Sequence, residues 1–163
     1  MRSSTALSAL LLTVLACESG TQNSRTQPRV SMVRIDASST LLLSAFSGFR
    51  DPQQTVVRDQ DAWQQAWTVA HAAMEPAPPV PAVDFGAETV LLVAMGTASS
   101  GGHAISIDSM DASGTSQVIY LTRTTPGPTC MTAAVITNPV HIVKVPGQAS
   151  QVTWREATKT LAC

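Results

Sequence analysis

Hydrophobic and polar positions alternate through much of this chain, and where they do the alternation has a period of two. His103–Asp108 alternates cleanly, and Gln117–Arg123 and Gln151–Arg155 follow the same pattern. Short apolar segments at Val30–Ile35, Thr40–Phe46 and Gln54–Arg58 read as further strands, as do Cys130–Ile136 and His141–Val145. Thr89–Gly96 is nearly all apolar and so reads as a central strand. Gly48 with Asp51-Pro52, the run Thr97–Gly102, and Ser113-Gly114 punctuate these segments as turns. Such frequent turns, with no helical pattern between the later strands, predict antiparallel pairing.

One stretch has a different period. Trp63, Trp67, Ala70 and Met74 recur at i, i+4, i+7 and i+11, which is one face of a helix. Asp59 or Asp61 can cap it, and Asp61 with Gln64 approximates a capping box. Glu75-Pro76 and the prolines at 78, 79 and 81 end it. The spacing therefore predicts a helix over about 60–74, with the tryptophans as core and His71 exposed. The fold class is α+β: a mostly antiparallel sheet, curled or in two layers, with one main amphipathic helix laid on it.

The first residues follow another logic. Arg2 precedes an apolar run, Thr5–Leu15, which Ala16 and Cys17 close. The run is too short for a membrane-spanning helix, which needs about 20 apolar residues. It suits a lipoprotein signal over 1–16, with cleavage before a lipidated Cys17. Val14 and Ala16 also suit ordinary signal cleavage, which would leave Cys17 unmodified. Glu18 stands where an Asp would favour inner-membrane retention, so a cell-envelope protein anchored in the outer membrane is expected. Residues 17–29 hold no large apolar side chain and read as a flexible tether. A single β-rich domain over 30–163 follows, long enough for a sizeable core.

Composition narrows the partners. Charged residues are 13 % of the chain, against about 25 % in average proteins. The net charge is −1, and lysine occurs only at Lys144 and Lys159. Nothing here is basic enough to point to nucleic acid. Apart from Cys17, the only cysteines are Cys130 and Cys163. Two thiols in one small exported domain read as a disulfide. Two free buried thiols and a metal pair are the alternatives, although no CxxC or HxxxH spacing accompanies them.

Candidate chemistry is sparse. His103 and His141 open two strands and could approach each other, with Asp108 or Asp84 as a third metal ligand; nothing in the spacing demands one. Ser99 and Ser100 before Gly101-Gly102 are the serines in a suggestive loop, but it joins strand to strand rather than strand to helix as a nucleophile elbow does. Gly101 and Gly102 are better explained as positive-φ positions of a hairpin turn, and Asp84 as a turn cap. Thr125, Pro126 and Gly127 open a rigid loop beside Cys130. Ser99–His103 and Thr125–Gly127 are therefore the candidate binding loops.

Several of these features occur together in one order. Trp63-x-x-x-Trp67, Val83-Asp84-Phe85, Gly96 with Gly101-Gly102, Thr125-Pro126-Gly127, Asn138–Val143 and the pair Cys130 and Cys163 resemble the C-terminal domain of the PrcB family from Ser47 onward. The family is named for a lipoprotein subunit that associates with a secreted serine-protease complex and stabilises it. The resemblance implies an exported protein with no catalytic residues, no cofactor and no metal. His103 departs from the pattern, which has an aromatic residue, usually Tyr, after the two glycines. The expected function is an anchored, non-enzymatic lipoprotein that binds another exported protein, with a serine protease as one partner class. A protease-inhibitor domain and an envelope hydrolase are the competing readings.

Overall fold

The computed structural model describes residues 31–148 and 150–163. The proposed signal, Cys17, the tether and Val30 lie outside the described residues. In chain order the elements are β1 (Ser31–Arg34), β2 (Thr40–Ser44), β3 (Gln53–Val57), α1 (Gln60–Ala70), β4 (Glu88–Ala94), β5 (Ala104–Ser113), β6 (Ser116–Pro126), β7 (Val140–Pro146) and β8 (Gln151–Leu161). Two four-stranded sheets form, in the orders β1-β5-β6-β8 and β2-β7-β4-β3. The α+β class with two β layers is as the periodicity implied.

The layers stack as helix, second sheet, first sheet. Alternate residues of β4 and β7 show why. Val90, Leu92, Val140 and Ile142 pack with Trp63 and Trp67 of α1. Leu91, Val93, Val143 and Val145 point the other way, against Ile105, Ile107, Ile119 and Leu121 of the first sheet. These two strands are covered on both faces and flanked on both edges, which explains the unbroken apolar run Val90–Ala94 of β4.

Asp59 is the N-cap of α1, its carboxylate accepting from the Ala62 amide at 2.8 Å. The helix ends at Ala70, a turn earlier than the stripe suggested, so Met74 lies beyond it and is exposed. His71 is buried, correcting the expectation of exposure: its ring lies 4.2 Å from Trp67 and its Nδ1 is 3.0 Å from the Trp67 carbonyl. The prolines do more than stop the helix. Trp63 Nε1 donates to the Pro81 carbonyl and Trp67 Nε1 to the Pro78 carbonyl, both at 2.9 Å. This settles both tryptophans as core residues with their polar edges satisfied. Gly48 seats the helix end: a Cβ there would lie 2.3 Å from the Val69 carbonyl oxygen, which accepts the Gly48 amide.

Three connections differ from the sequence expectation. Thr97–Gly102 is a crossover between sheets and not a hairpin turn, because β4 pairs with β3 and β7 while β5 pairs with β1 and β6. β6 and β8 run parallel, in register from Ser116↔Gln151 to Pro126↔Leu161, where antiparallel pairing was expected. The chain crosses to the second sheet for β7 between them, so β8 starts beside the start of β6. Cys130–Ile136 is no strand. β6 has β5 on one edge and β8 on the other, and the isolated bridge nearby, Ala98↔Thr137, is made by the residue just after the segment.

Candidate functional site

Both candidate loops lie at one pole of the stacked sheets, where β5 begins and β6 ends. Gly102 takes a φ of +84°, and a Cβ on it would sit 3.5 Å from Pro126 and 3.4 Å from Thr132. The left-handed backbone makes glycine the favoured residue there. Gly101 does not share it, since its φ is not positive; instead its amide donates to the Ala133 carbonyl at 2.9 Å. The two loops and the segment after Cys130 thus form a continuous platform.

Several bonds brace this platform. Cys130 and Cys163 form a disulfide, as the thiol count suggested. The Gly127 amide donates to the Leu161 carbonyl at 3.0 Å, closing the segment onto the end of β8. Thr137 Oγ1 donates to the Ser100 carbonyl at 3.0 Å, and Asn138 Nδ2 donates to Thr97 Oγ1 at 3.0 Å. The Asn138 amide reaches Ala45 beyond β2. A framework this connected holds loop side chains at low entropic cost.

What it holds up is apolar. Met131 is fully exposed, Ile136 is 66 % exposed and Val135 39 %. Leu43 and Phe46, at and just beyond the adjoining end of β2, are 62 % and 57 % exposed. Reading Cys130–Ile136 as a strand half-buried these residues and missed the feature. The signal was present in Pro126-Gly127-Pro128 and Asn138-Pro139, which bracket the segment with residues that disfavour a ladder.

Residues 89–146 match the PrcB C-terminal family model. No curated protein matches the chain, and no solved structure does. The match runs through β4 to the end of β7 and takes in both candidate loops, so the resemblance is upheld over that span. The tryptophan helix and β8 lie outside the PrcB C-terminal match.

Several of the residues weighed for chemistry have structural partners, whereas the buried Nδ1 of His103 has none among the described residues. Ser100 Oγ donates to the Gly101 carbonyl at 3.2 Å. Asp84 caps its turn by accepting the Gly86 amide at 2.9 Å. The two histidines line separate clefts, His103 beside Leu43 and Pro139, His141 beside Arg34, Asp36, Thr40 and Asp108. Among the described residues no three His, Cys, Asp or Glu side chains converge as a metal would require.

His141 fastens the two sheets. It projects from β7 toward β5, where the Ile107 amide donates to its Nδ1 at 2.8 Å. An amide can only donate, so Nδ1 carries no proton and the ring proton of the neutral side chain sits on Nε2. Nε2 lies 3.2 Å from Thr40 Oγ1, which its proton faces, and Thr40 Oγ1 donates onward to the Asp36 carbonyl at 3.0 Å. In this tautomer His141 cannot take a proton from Thr40, so the pair is not a nucleophile and its base. Register shifts at Ile107/Ser109 and Thr40/Leu42 flank the contact and re-aim both partners.

Burial lowers the His141 pKa from 6.5 to about 4, partly opposed by the nearby Asp108 charge. The unfolded chain protonates this residue below pH 6.5 while the folded chain resists until about pH 4. Its stabilising contribution is therefore full above pH 6.5 and declines through that window, by about 3 kcal/mol in total. Asn places its side-chain oxygen near the Nδ1 position without titrating. Urea melts of the wild type should weaken on going from pH 7 toward pH 4 more steeply than those of His141→Asn; equal slopes would refute the assignment.

Proposed function

We propose that this chain is an exported lipoprotein, anchored through Cys17 in the cell envelope, that binds another exported protein and performs no chemistry of its own. The partner class that the PrcB C-terminal match favours is a secreted serine protease, with this chain as an accessory subunit. The observation that carries the reading is the platform: Met131, Val135 and Ile136 are held in solvent on a disulfide-braced segment with Ser99–His103 and Thr125–Gly127 beside them. Exposed apolar side chains fixed on a rigid base are what protein recognition uses.

Polarity of the fold supports the same reading. Ser31 pairs with Ala112, beside the β5–β6 hairpin, while Ala104 and Thr124 mark the platform pole. The described chain therefore begins at the pole opposite the platform, and an anchor ahead of it would leave the platform accessible to a partner.

Two measurements test it. Met131→Glu with Ile136→Glu should leave the melting temperature unchanged and remove the exported protein that cross-links to the wild type in native envelopes. Retention of that partner by the double variant would overturn the platform, and peptide turnover lost on Ser100→Ala would overturn the non-enzymatic reading. For the anchor, Cys17→Ser should shift the protein from the membrane to the soluble fraction and abolish palmitate labelling. Identical fractionation of the two proteins would rule lipidation out.

A further inference from the structure

The last strand, β8, has an edge with which no other described strand pairs. β8 pairs with β6 on one side only, in parallel register over its whole length from Gln151 to Leu161. Val152 and Trp154 tuck under the second sheet, but from Arg155 onward every residue is exposed. Gln151, Thr153, Arg155, Ala157, Lys159 and Leu161 share the outer face of the first sheet, where no helix packs. Among the described strands, this edge is left open for a further strand.

Charges along the edge select what can add. Glu156, on the inner face, is engaged within the chain: Arg123 Nε lies 2.7 Å from it and Gln54 Nε2 donates to it at 3.2 Å. Arg155 and Lys159, four residues apart on the outer face, make no ion pair among the described residues. A second copy is a poor occupant. Two-fold antiparallel pairing of β8 with itself places residues of like face opposite one another. Full overlap sets Glu156 against Glu156, and the neighbouring registers set Arg155 against Arg155 or against Lys159. Like charges directly opposite are destabilising.

We propose that the free edge of β8 takes an extended segment of a partner protein whose acidic side chains, four residues apart on one face, pair with Arg155 and Lys159. Main-chain hydrogen bonds supply the attachment and the two basic residues set register and identity. This edge is separate from the apolar platform, and the two stand or fall independently.

The test uses the oxidised full-length chain and two short Thr/Val peptides, one with two glutamates four residues apart and the other with lysines in their place. The acidic peptide should bind about tenfold more tightly at low salt, and hydrogen exchange should slow at β8 amides. Arg155→Glu with Lys159→Glu, both on exposed positions, should reverse the peptide order. Met131→Glu with Ile136→Glu should leave peptide binding unchanged, which separates this site from the platform. Binding of neither peptide would leave Arg155 and Lys159 as guards against edge pairing and overturn the proposal. So would protection confined to 127–139, an order insensitive to the double variant, or a wild type that sediments as a β8-paired dimer.

Discussion

Trp63→Ala is expected to cost about 3–5 kcal/mol, a large part of the 5–15 kcal/mol that holds a typical domain together. The indole has no exposed surface and lies edge-on to Trp67 with ring centroids 5.2 Å apart. Removing it opens a cavity between α1 and the second sheet and leaves the Pro81 carbonyl without its donor. Both losses fall where the helix and the proline segment meet, so neither can relax without moving the other. Urea denaturation followed by far-UV circular dichroism gives the number directly. Trp63→Phe, which keeps most of the volume and lacks the indole N–H, should fall between wild type and Trp63→Ala. An alanine variant as stable as the wild type would mean that the tryptophans do not organise this layer.

Opening the Cys130–Cys163 disulfide should cost roughly 3–4 kcal/mol, as expected for a closed loop of this size on the loop-entropy account. The sequence separation is 33 residues, and the loop it closes contains all of β7 and all of β8. Denaturation midpoints with and without reductant, compared with a Cys163→Ser variant, measure it; reduced and mutant protein should agree. The loss should be felt first where β8 runs past the second sheet, because Glu156–Leu161 is exposed and β6 is the only strand it pairs with. Coincident midpoints for oxidised and reduced protein would contradict this.

The elements were largely legible in the sequence, and their assembly was not. Alternation marked β5, β6 and β8 because each keeps one face on the core and one in water. The same logic marked β4 by its lack of alternation. Which sheet each strand joins depends instead on contacts between residues far apart, such as Leu91 with Val143. No local pattern encodes those, which is why the Thr97–Gly102 crossover resembled a hairpin and why parallel β6 and β8 were unexpected. Met131–Ile136 has the composition of a strand and was misjudged because an edge to pair with is a property of the whole fold. At the candidate site, the glycines, Pro126 and the cysteine pair drew attention to the pole where the apolar platform lies. The roles of His71 and His141 were hidden, since a histidine's partners are backbone groups that sequence does not place.

The opposed poles also fix how the molecule would carry load. A pull on the chain ahead of Ser31 against a partner held at the platform runs lengthwise along β1 and β5. The hydrogen bonds of an antiparallel ladder lie across the strands. Tension along this line loads all of the β1–β5 bonds together, in shear, where a pull from the other end of β1 would peel them one at a time. β1 is only four residues long, and its direction gives those few bonds their greatest resistance to rupture under such a pull.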